Sequence, residues 1–567
     1  MYIKKVVIEN YRGFRHFEAS LSKLTVLVGE NETGKSNFIE AIALPLSSSG
    51  LDYNQKRLNV SDINTDCIKD FYKAILEEAS PQEQLKKIPR VSVTVQFVDP
   101  QGFYEIEILS KWIISEDNKD VYQIRYDFKP KNNQDFLSYV KDLLEGYKEV
   151  SETRWFTLPV EQYEYQIVST NNERTIGYNE LKHVVVNIIG AERDDFSDSK
   201  SFRSNNMLTK LLIDAVGDTE KKEINYAYTE FFSEIKKTDI FKKVLSVGTD
   251  FENIKNFVDD IECIPNLPNL KNILSNITLG YGNEFLYQKG LGERNLVYMF
   301  LLFTYYKTAT RSFNLCCIEE PEAHLCVNNL RLAIDYINKS MEKSNSMLQS
   351  VLSTHNPSVI NKLKINNVVV FTGDNAISLS TAGQELQDYL RKRPNFDILK
   401  LLFAERVVLV EGPSDEMLIN AFLSKKNNSL NNIEVISIGQ KGYRTFLDIW
   451  LQLNKGNASK KIGVVRDFDN QPQAQMDHDK YDQENDNITV RTTKQYTLED
   501  DFVRAGDNCK KLSVLFDVAD SFEAVSEHMK NEKTDEMLNV CDAILREKNP
   551  VDLVIPKHIA EVLEALS

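Results

Sequence analysis

Short apolar runs that stop abruptly at a glycine or an acid punctuate this chain. Leu24 to Val28, Leu315 to Ile318, Gln349 to Ser353, Phe403 to Val410 and Lys461 to Val465 are each of strand length and each ends in or runs into polar residues. Such runs predict buried strands with polar groups at their carboxyl ends. Val91 to Phe97, Tyr104 to Ile114, Val121 to Phe128 and Tyr163 to Val168 instead alternate, which predicts an antiparallel lobe. His183 to Ile189 returns as a core strand. From about residue 206 to 262 apolar and charged residues fall at helical spacing, a stretch too short for coiled-coil arms, and this predicts a helical insert. Leu296 to Tyr306 predicts an apolar helix, and the Gln-, Asp- and Asn-rich stretch 470–487 a mobile loop.

The strand ends carry the candidate chemistry. After Val28 comes Gly29-Glu-Asn31-Glu-Thr-Gly34-Lys35-Ser36-Asn37, which is G-x-x-x-x-G-K-[ST] between a strand and a helix. The glycines let backbone N–H groups face phosphates, Lys35 reaches the β/γ-phosphates, and Ser36 ligates magnesium. After Ile318 come Glu319 and Glu320, the first read as a magnesium ligand and the second as the carboxylate that orients attacking water. His355 follows the next strand, within reach of a γ-phosphate. Gly290-Leu-Gly292-Glu-Arg-Asn295 opens the apolar helix, and a glycine turn there is an anion site in principle.

A second set lies further on. Val410 runs into Glu411, with Asp415 in the following helical turn; Val465 runs into Arg466-Asp467-Phe468-Asp469. Strand alternation predicts that Asp467 and Asp469 share a face. Four carboxylates at the ends of two parallel strands make a hard-oxygen site suited to Mg²⁺ or Mn²⁺ and to in-line attack on a phosphodiester.

Ile8 to Phe14, the phosphate loop, Gly290 to Asn295, Glu319 to Leu325 and Ser353 to Pro357 together resemble the ABC-type ATPase heads of the RecF, SMC and OLD (overcoming lysogenization defect) groups. Glu411-Gly412 and Asp467-x-Asp469 resemble the Toprim domain, and their order behind such a head resembles the OLD-family nucleases, which include the Gabija anti-phage group. The resemblance implies an α/β chain: an ABC-type head at 1–195 and 273–390, a helical insert at 196–272 that mediates dimerisation, and a Rossmann-like Toprim domain at 391–567. It implies that ATP is held by Gly29, Asn31, Gly34, Lys35, Ser36, Asn37, Glu319 and His355, with Gly292 completing a partner protomer's site. The signature departs from that of transporter heads, with Lys289-Gly-Leu-Gly292 in place of Ser-Gly-Gly. It implies Glu499 as a third acidic motif and Lys557 as a catalytic lysine. It also implies a homodimer or homotetramer, and a UvrD-like helicase subunit as a partner.

Composition narrows this further. The 567 residues carry 42% hydrophobic side chains, enough for about three domains, and a net charge of −16. So acidic a chain is no general polyanion binder; a nucleic acid must meet local basic stretches such as Arg391-Lys-Arg393, Lys460-Lys461 or Lys200 with Arg203, or be bridged by metal. Seven cysteines without C-x-x-C spacing predict a reducing cytoplasm and no zinc site, and no apolar run is long enough to span a bilayer. The expectation is an ATP-binding, Mg²⁺- or Mn²⁺-dependent endonuclease of double-stranded DNA. Water activated at the metal is the expected nucleophile, because no Toprim tyrosine is identifiable. The alternatives are a non-cutting RecF-like clamp ATPase and a Toprim nuclease of RNA.

Overall fold

The computed structural model describes residues 1–30, 32–48, 56–116, 119–190, 207–238, 240, 269–308, 313–342, 348–372, 375–381, 388, 392, 398–425, 432–439, 442–454, 459–531 and 533–567. Asn31, Lys200, Arg203, Arg391, Arg393 and most of the second half of the helical insert lie outside these. The chain forms two compact units: Met1–Thr354 with Val369–Ala376, and His355–Val368 with Ile377–Ser567.

The first unit joins two sheets. One is antiparallel, built from β1 (Tyr2–Tyr11), β2 (Phe14–Ser20), β5 (Val91–Val98), β6 (Ile113–Glu116), β7 (Lys119–Pro130), β8 (Tyr163–Ser169) and β9 (Arg174–Thr175), in the order β2-β1-β5-β7-β8-β9 with β6 on β7. The other contains β3 (Leu24–Gly29), β4 (Ser47–Ser48), β10 (Val184–Ile189), β13 (Phe313–Glu319), β14 (Leu348–Ser353), β15 (Val368–Phe371) and β16 (Ala376–Ser378). Its order is β16-β15-β3-β14-β13-β10-β4, and the pairs from β3 through β14, β13 and β10 to β4 are parallel. Every residue of β3 and β14 is buried, as expected of strands covered on both faces. A small hairpin, β11 (Gly280–Tyr281) and β12 (Glu284–Phe285), precedes the apolar helix Leu291–Thr308.

One hydrophobic core serves both sheets. Phe17 of β2, Phe38 of helix Lys35–Ala43 and Phe371 of β15 meet with ring centroids 4.9–5.9 Å apart. Gln349 of β14 clamps the main chain of β1: its Oε1 accepts from Ile3 N and its Nε2 donates to Ile3 O, both at 2.8 Å.

Two expectations fail here. Residues 104–114 are not one strand: Phe103–Leu109 is a helix, and only Ile113–Glu116 is extended. The apolar positions there alternate, but Phe103 and Ile106 are exposed, so the alternation never marked a buried face. The polar stretch 470–487 is not a loop but holds the helix Pro472–Glu484. Proline at its start suits a first helical turn. No residue of that helix is buried; Gln473 and Lys480 bond Asp477 from either side, and Tyr481 bonds Asp448 on a neighbouring helix at 2.6 Å. In the insert, helices Met207–Ala215 and Asp218–Lys237 agree with the helical spacing.

The second unit centres on a four-stranded parallel sheet of β17 (Arg406–Val410), β18 (Ile433–Ser437), β19 (Lys461–Arg466) and β20 (Ile488–Thr492), ordered β18-β17-β19-β20. The chain turns outward to β18 on one side of β17 and to β19 and β20 on the other. The crevice between β17 and β19 is therefore the topological switch point, where open α/β sheets place their ligands.

Candidate functional site

In the first unit the phosphate loop joins β3 to helix Lys35–Ala43. Gly34 stands at φ 89°, a left-handed conformation, and a Cβ there would strike the Phe14 ring, so glycine is required twice over. Lys35 Nζ donates to Gly29 O at 2.7 Å and to Glu30 O at 2.8 Å, which folds the ammonium onto its own loop. Burial lowers its pKa, opposed by the charges of Glu320 and Glu30; Glu320 thus lies in the electrostatic neighbourhood of the loop lysine. Ser36 is exposed in the first helical turn. Asn37 Oδ1 accepts from Arg12 Nη1 at 2.9 Å, and Arg12 also bonds Asp62 and Glu40, tying the β1–β2 turn to the loop helix.

Glu319 closes β13. Glu320 follows at φ 43°, held there by its N–H on Ser353 O at 2.9 Å. A non-glycine residue at positive φ is uncommon and clusters at functional sites. His355 follows β14, the strand between β3 and β13. Gly292 packs against the turn after Glu320: a Cβ there would collide with His324 O, and Asn295 Nδ2 donates to Ala323 O at 3.2 Å. Within this chain, then, the signature glycine is explained by close approach to its own Glu320–Leu325 turn.

In the second unit five acids meet at the switch point. Glu411 follows β17, and its carbonyl accepts from Gly439 N at 2.9 Å. Asp415 is buried in the first turn of helix Pro413–Lys425 and accepts from Gly412 N at 2.8 Å. Burial pushes its pKa up to about 7; the Gly412 hydrogen bond opposes this, while Glu499 and Glu411 add to it. Asp467 is pushed to about 9 by burial and then by Asp415, Glu411, Glu499 and Asp469. Glu499, buried in helix Leu498–Val503, thus joins the group. Its neighbours have other duties: Asp500 accepts from Ser526 Oγ at 2.5 Å and pairs with Lys530, and Asp501 accepts from Lys494 N and Gln495 N.

The shared-face expectation for Asp467 and Asp469 fails. β19 ends at Arg466, and Asp469 sits at φ 48° in the following turn with its N–H on Tyr496 O at 3.2 Å. The turn, not strand alternation, directs it toward the group. Lys557 opens helix Lys557–Leu566 with its side chain 73% exposed; its ion-pair partner is Glu561 at 3.6 Å rather than any strand-end acid.

Among the described residues no three His, Cys, Asp or Glu side chains form a ready-made metal cage. The donor set nonetheless fits a hard divalent cation: it is all carboxylate, gathered at one crevice, and the burial and like charge that together raise Asp415 and Asp467 are what a cation would offset. Sequence reading missed Tyr443. Its buried hydroxyl donates to Val465 O at 3.0 Å, and its pKa is raised by burial and then by Asp415, Glu411 and Asp467. A lone tyrosine after a glycine carries no pattern, so only the fold reveals it.

Residues 1–360 match the AAA ATPase domain family, and residues 402–469 match the Toprim domain of overcoming lysogenization defect protein-like chains. Endonuclease GajA of Bacillus cereus (strain HuB5-5) is 22% identical over 523 residues, 76% of this chain and 72% of that protein. Endonuclease GajA of strain VD045 is 20% identical over 446 residues, covering 75% and 68%. Among solved structures, the SMC head domain from Thermotoga maritima (13% identity, TM-score 0.30) covers 67% of this chain and 99% of its own. RecF bound to ATP (11%, TM-score 0.32) covers 67% and 99%. These overlays are loose, and the fold assignment stands on sheet order and the family matches. The chain belongs to the AAA ATPase domain family through residues 1–360, and behind that domain it carries an OLD-like Toprim domain at residues 402–469.

Proposed function

We propose that this protein is an ATP-binding, divalent-metal-dependent endonuclease that cuts DNA in defence against phage, with nucleotide regulating the cut. The observation that carries the reading is the convergence of Glu411, Asp415, Asp467, Asp469 and Glu499 at the switch point of a parallel sheet. Glu411, Asp415, Asp467 and Asp469 hold the metal, Mg²⁺ or Mn²⁺, with Glu499 behind them. The metal supplies Lewis acidity toward the scissile phosphate. Asp467 and Asp415, whose proton affinities are raised, would hold the cation as carboxylates, so binding would be coupled to loss of their protons. Lys557 serves the phosphate as a cation from the rim. In the first unit Lys35 leaves its loop carbonyls for the β/γ-phosphates, Ser36 and Glu319 hold magnesium, and Glu320 orients water. The GajA relatives are called endonucleases, which supports a nuclease here; the role in defence, a homodimer or homotetramer joined through the helical insert and a UvrD-like helicase subunit belong to the same proposal.

Incubation with plasmid, linear DNA and tRNA, each with Mg²⁺, Mn²⁺ or EDTA, tests it. DNA cleavage that needs metal and is lost in Asp467→Ala is the expected result. Cleavage of tRNA alone would move the substrate to RNA, and no cleavage of any substrate would favour a clamp ATPase.

A further inference from the structure

Beside the carboxylates the second unit has a groove of about 370 Å³ whose lining includes Arg491, Thr492, Lys494, Lys557 and His558. His558 is only 6% exposed, yet neither of its ring nitrogens makes a well-aligned hydrogen bond among the described residues. A buried imidazole nitrogen left so is costly unless a ligand satisfies it. One of the two, Nδ1, lies 3.2 Å from Asp501 Oδ2. Asp501 is itself pinned by Lys494 N at 2.8 Å and Gln495 N at 2.9 Å, so the imidazole stands beside a fixed carboxylate. We propose that this groove seats a backbone phosphate of the DNA strand, received by His558 Nε2 and by the ammonium groups of Lys494 and Lys557.

The imidazole thus has Nδ1 beside the Asp501 carboxylate, which leaves Nε2 as the nitrogen that would donate to a phosphate. Lys494 is exposed and has no carboxylate partner among the described residues. The groove also holds acids, but Arg491 bridges two of them, Asp482 at 2.5 Å and Glu561 at 2.8 Å. The third, Asp479, has its pKa raised by burial. Position supports the assignment. Thr492–Lys494 stands at the carboxyl end of β20, next to β19, and Thr493 Oγ1 accepts from Phe468 N at 2.9 Å, between Asp467 and Asp469.

The proposal rests on the nuclease reading, and its test separates the two. Binding of a fluorescein-labelled DNA duplex to the full chain is followed by anisotropy in EDTA, for wild type, His558→Asn and Lys494→Ala, with inorganic phosphate as competitor. Each variant is expected to weaken binding about tenfold, the scale of one charge-assisted hydrogen bond. Lys494→Ala should also lower the slope of log Kd against log salt by about one. Phosphate should compete with DNA on wild type and much less on His558→Asn. Because Lys494 is exposed, its variant carries the test even where His558→Asn folds poorly. Wild type that cuts DNA while both variants bind as wild type overturns the groove alone. Wild type that neither binds nor cuts overturns the groove and the nuclease reading together.

Discussion

The two candidate sites sit at the ends of parallel strands in both units, yet their charged groups are held in opposite ways. At the phosphate loop the charge is already answered: Lys35 bonds two carbonyls of its own loop, and Arg12 is shared by Asn37, Glu40 and Asp62. At the carboxylate crevice like charges are gathered, and burial, with the neighbouring acids adding to it, lifts Asp415 and Asp467 far above ordinary aspartates. A nucleotide must therefore displace internal hydrogen bonds, whereas a cation relieves a strain. The first site should be tolerant of losing its charged group in stability and intolerant in binding. The second should grow more stable when a charge is removed.

The largest effect breaks the comparison at the crevice. Asp467→Ala or Glu411→Ala should abolish cleavage and leave ATP binding intact, measured by gel assay and nucleotide titration. Asp467→Asn should be equally dead but melt a few degrees higher than wild type in EDTA at pH 8, since about 1 kcal/mol moves a domain of this size by roughly 2–4 °C. A lower melting point for Asp467→Asn would mean that the acids are not mutually repelled.

Next comes the phosphate loop. Glu320→Gln should slow ATP hydrolysis by roughly two orders of magnitude, the usual reach of one positioned base, with ATP affinity kept. Lys35→Ala should weaken ATP binding by about tenfold or more while the melting temperature of the nucleotide-free protein stays near wild type. Equal hydrolysis by wild type and Glu320→Gln removes Glu320 from that role.

Much of this was legible from residues alone. Gly34, Lys35, Glu319 and Glu320 follow apolar runs, and Glu411, Asp467 and Asp469 do the same, because a buried strand leaves its functional groups at its tip. What was not legible depends on surroundings. The helix Pro472–Glu484 has no apolar stripe to announce it, being held by polar side-chain pairs on its surface. Phe103–Leu109 alternates like a strand only because some of its apolar side chains stay in solvent. Asp469 reaches the acids through a positive-φ turn that no periodicity encodes. Tyr443 and His558 are single residues whose meaning comes from the carbonyl or carboxylate each one faces.

A third test asks whether the two sites communicate. Cleavage should fall as ATP is titrated, by about 5- to 150-fold, the ordinary span of a coupling free energy, and Lys35→Ala should be insensitive. The lean toward restraint follows from a resident nuclease facing a full nucleotide pool. Rates that do not change with ATP would mean that the two chemistries only share a chain.

The fourth uses pH. Asp415 and Asp467 bind protons more tightly folded than unfolded, so their favourable contribution is complete below the unfolded value of about 4 and is lost as pH rises through about 7 and then about 9. In EDTA the melting temperature should fall across this window. With Mn²⁺ the fall should flatten, because the cation replaces the protons. Parallel curves with and without metal would place the cation elsewhere.

The smallest effect concerns Tyr443, which lies in the electrostatic neighbourhood of Asp415, Glu411 and Asp467. A phenol there invites comparison with Toprim enzymes that attack DNA through tyrosine. Its geometry argues otherwise: the hydroxyl is buried and spends its proton on Val465 O, and burial among carboxylates raises its pKa, the wrong direction for a nucleophile. What the bond does is hold the end of β19, two residues before Asp467. Tyr443→Phe removes only that hydrogen bond, leaves the ring in place, and should cost about 1 kcal/mol of stability. Asp467 then has more freedom, so the Mn²⁺ concentration for half-maximal cleavage should rise a few-fold while the rate at saturating metal is nearly unchanged. Complete loss of cleavage in Tyr443→Phe, together with DNA covalently attached to the wild-type chain, would overturn this and make the tyrosine the attacking group.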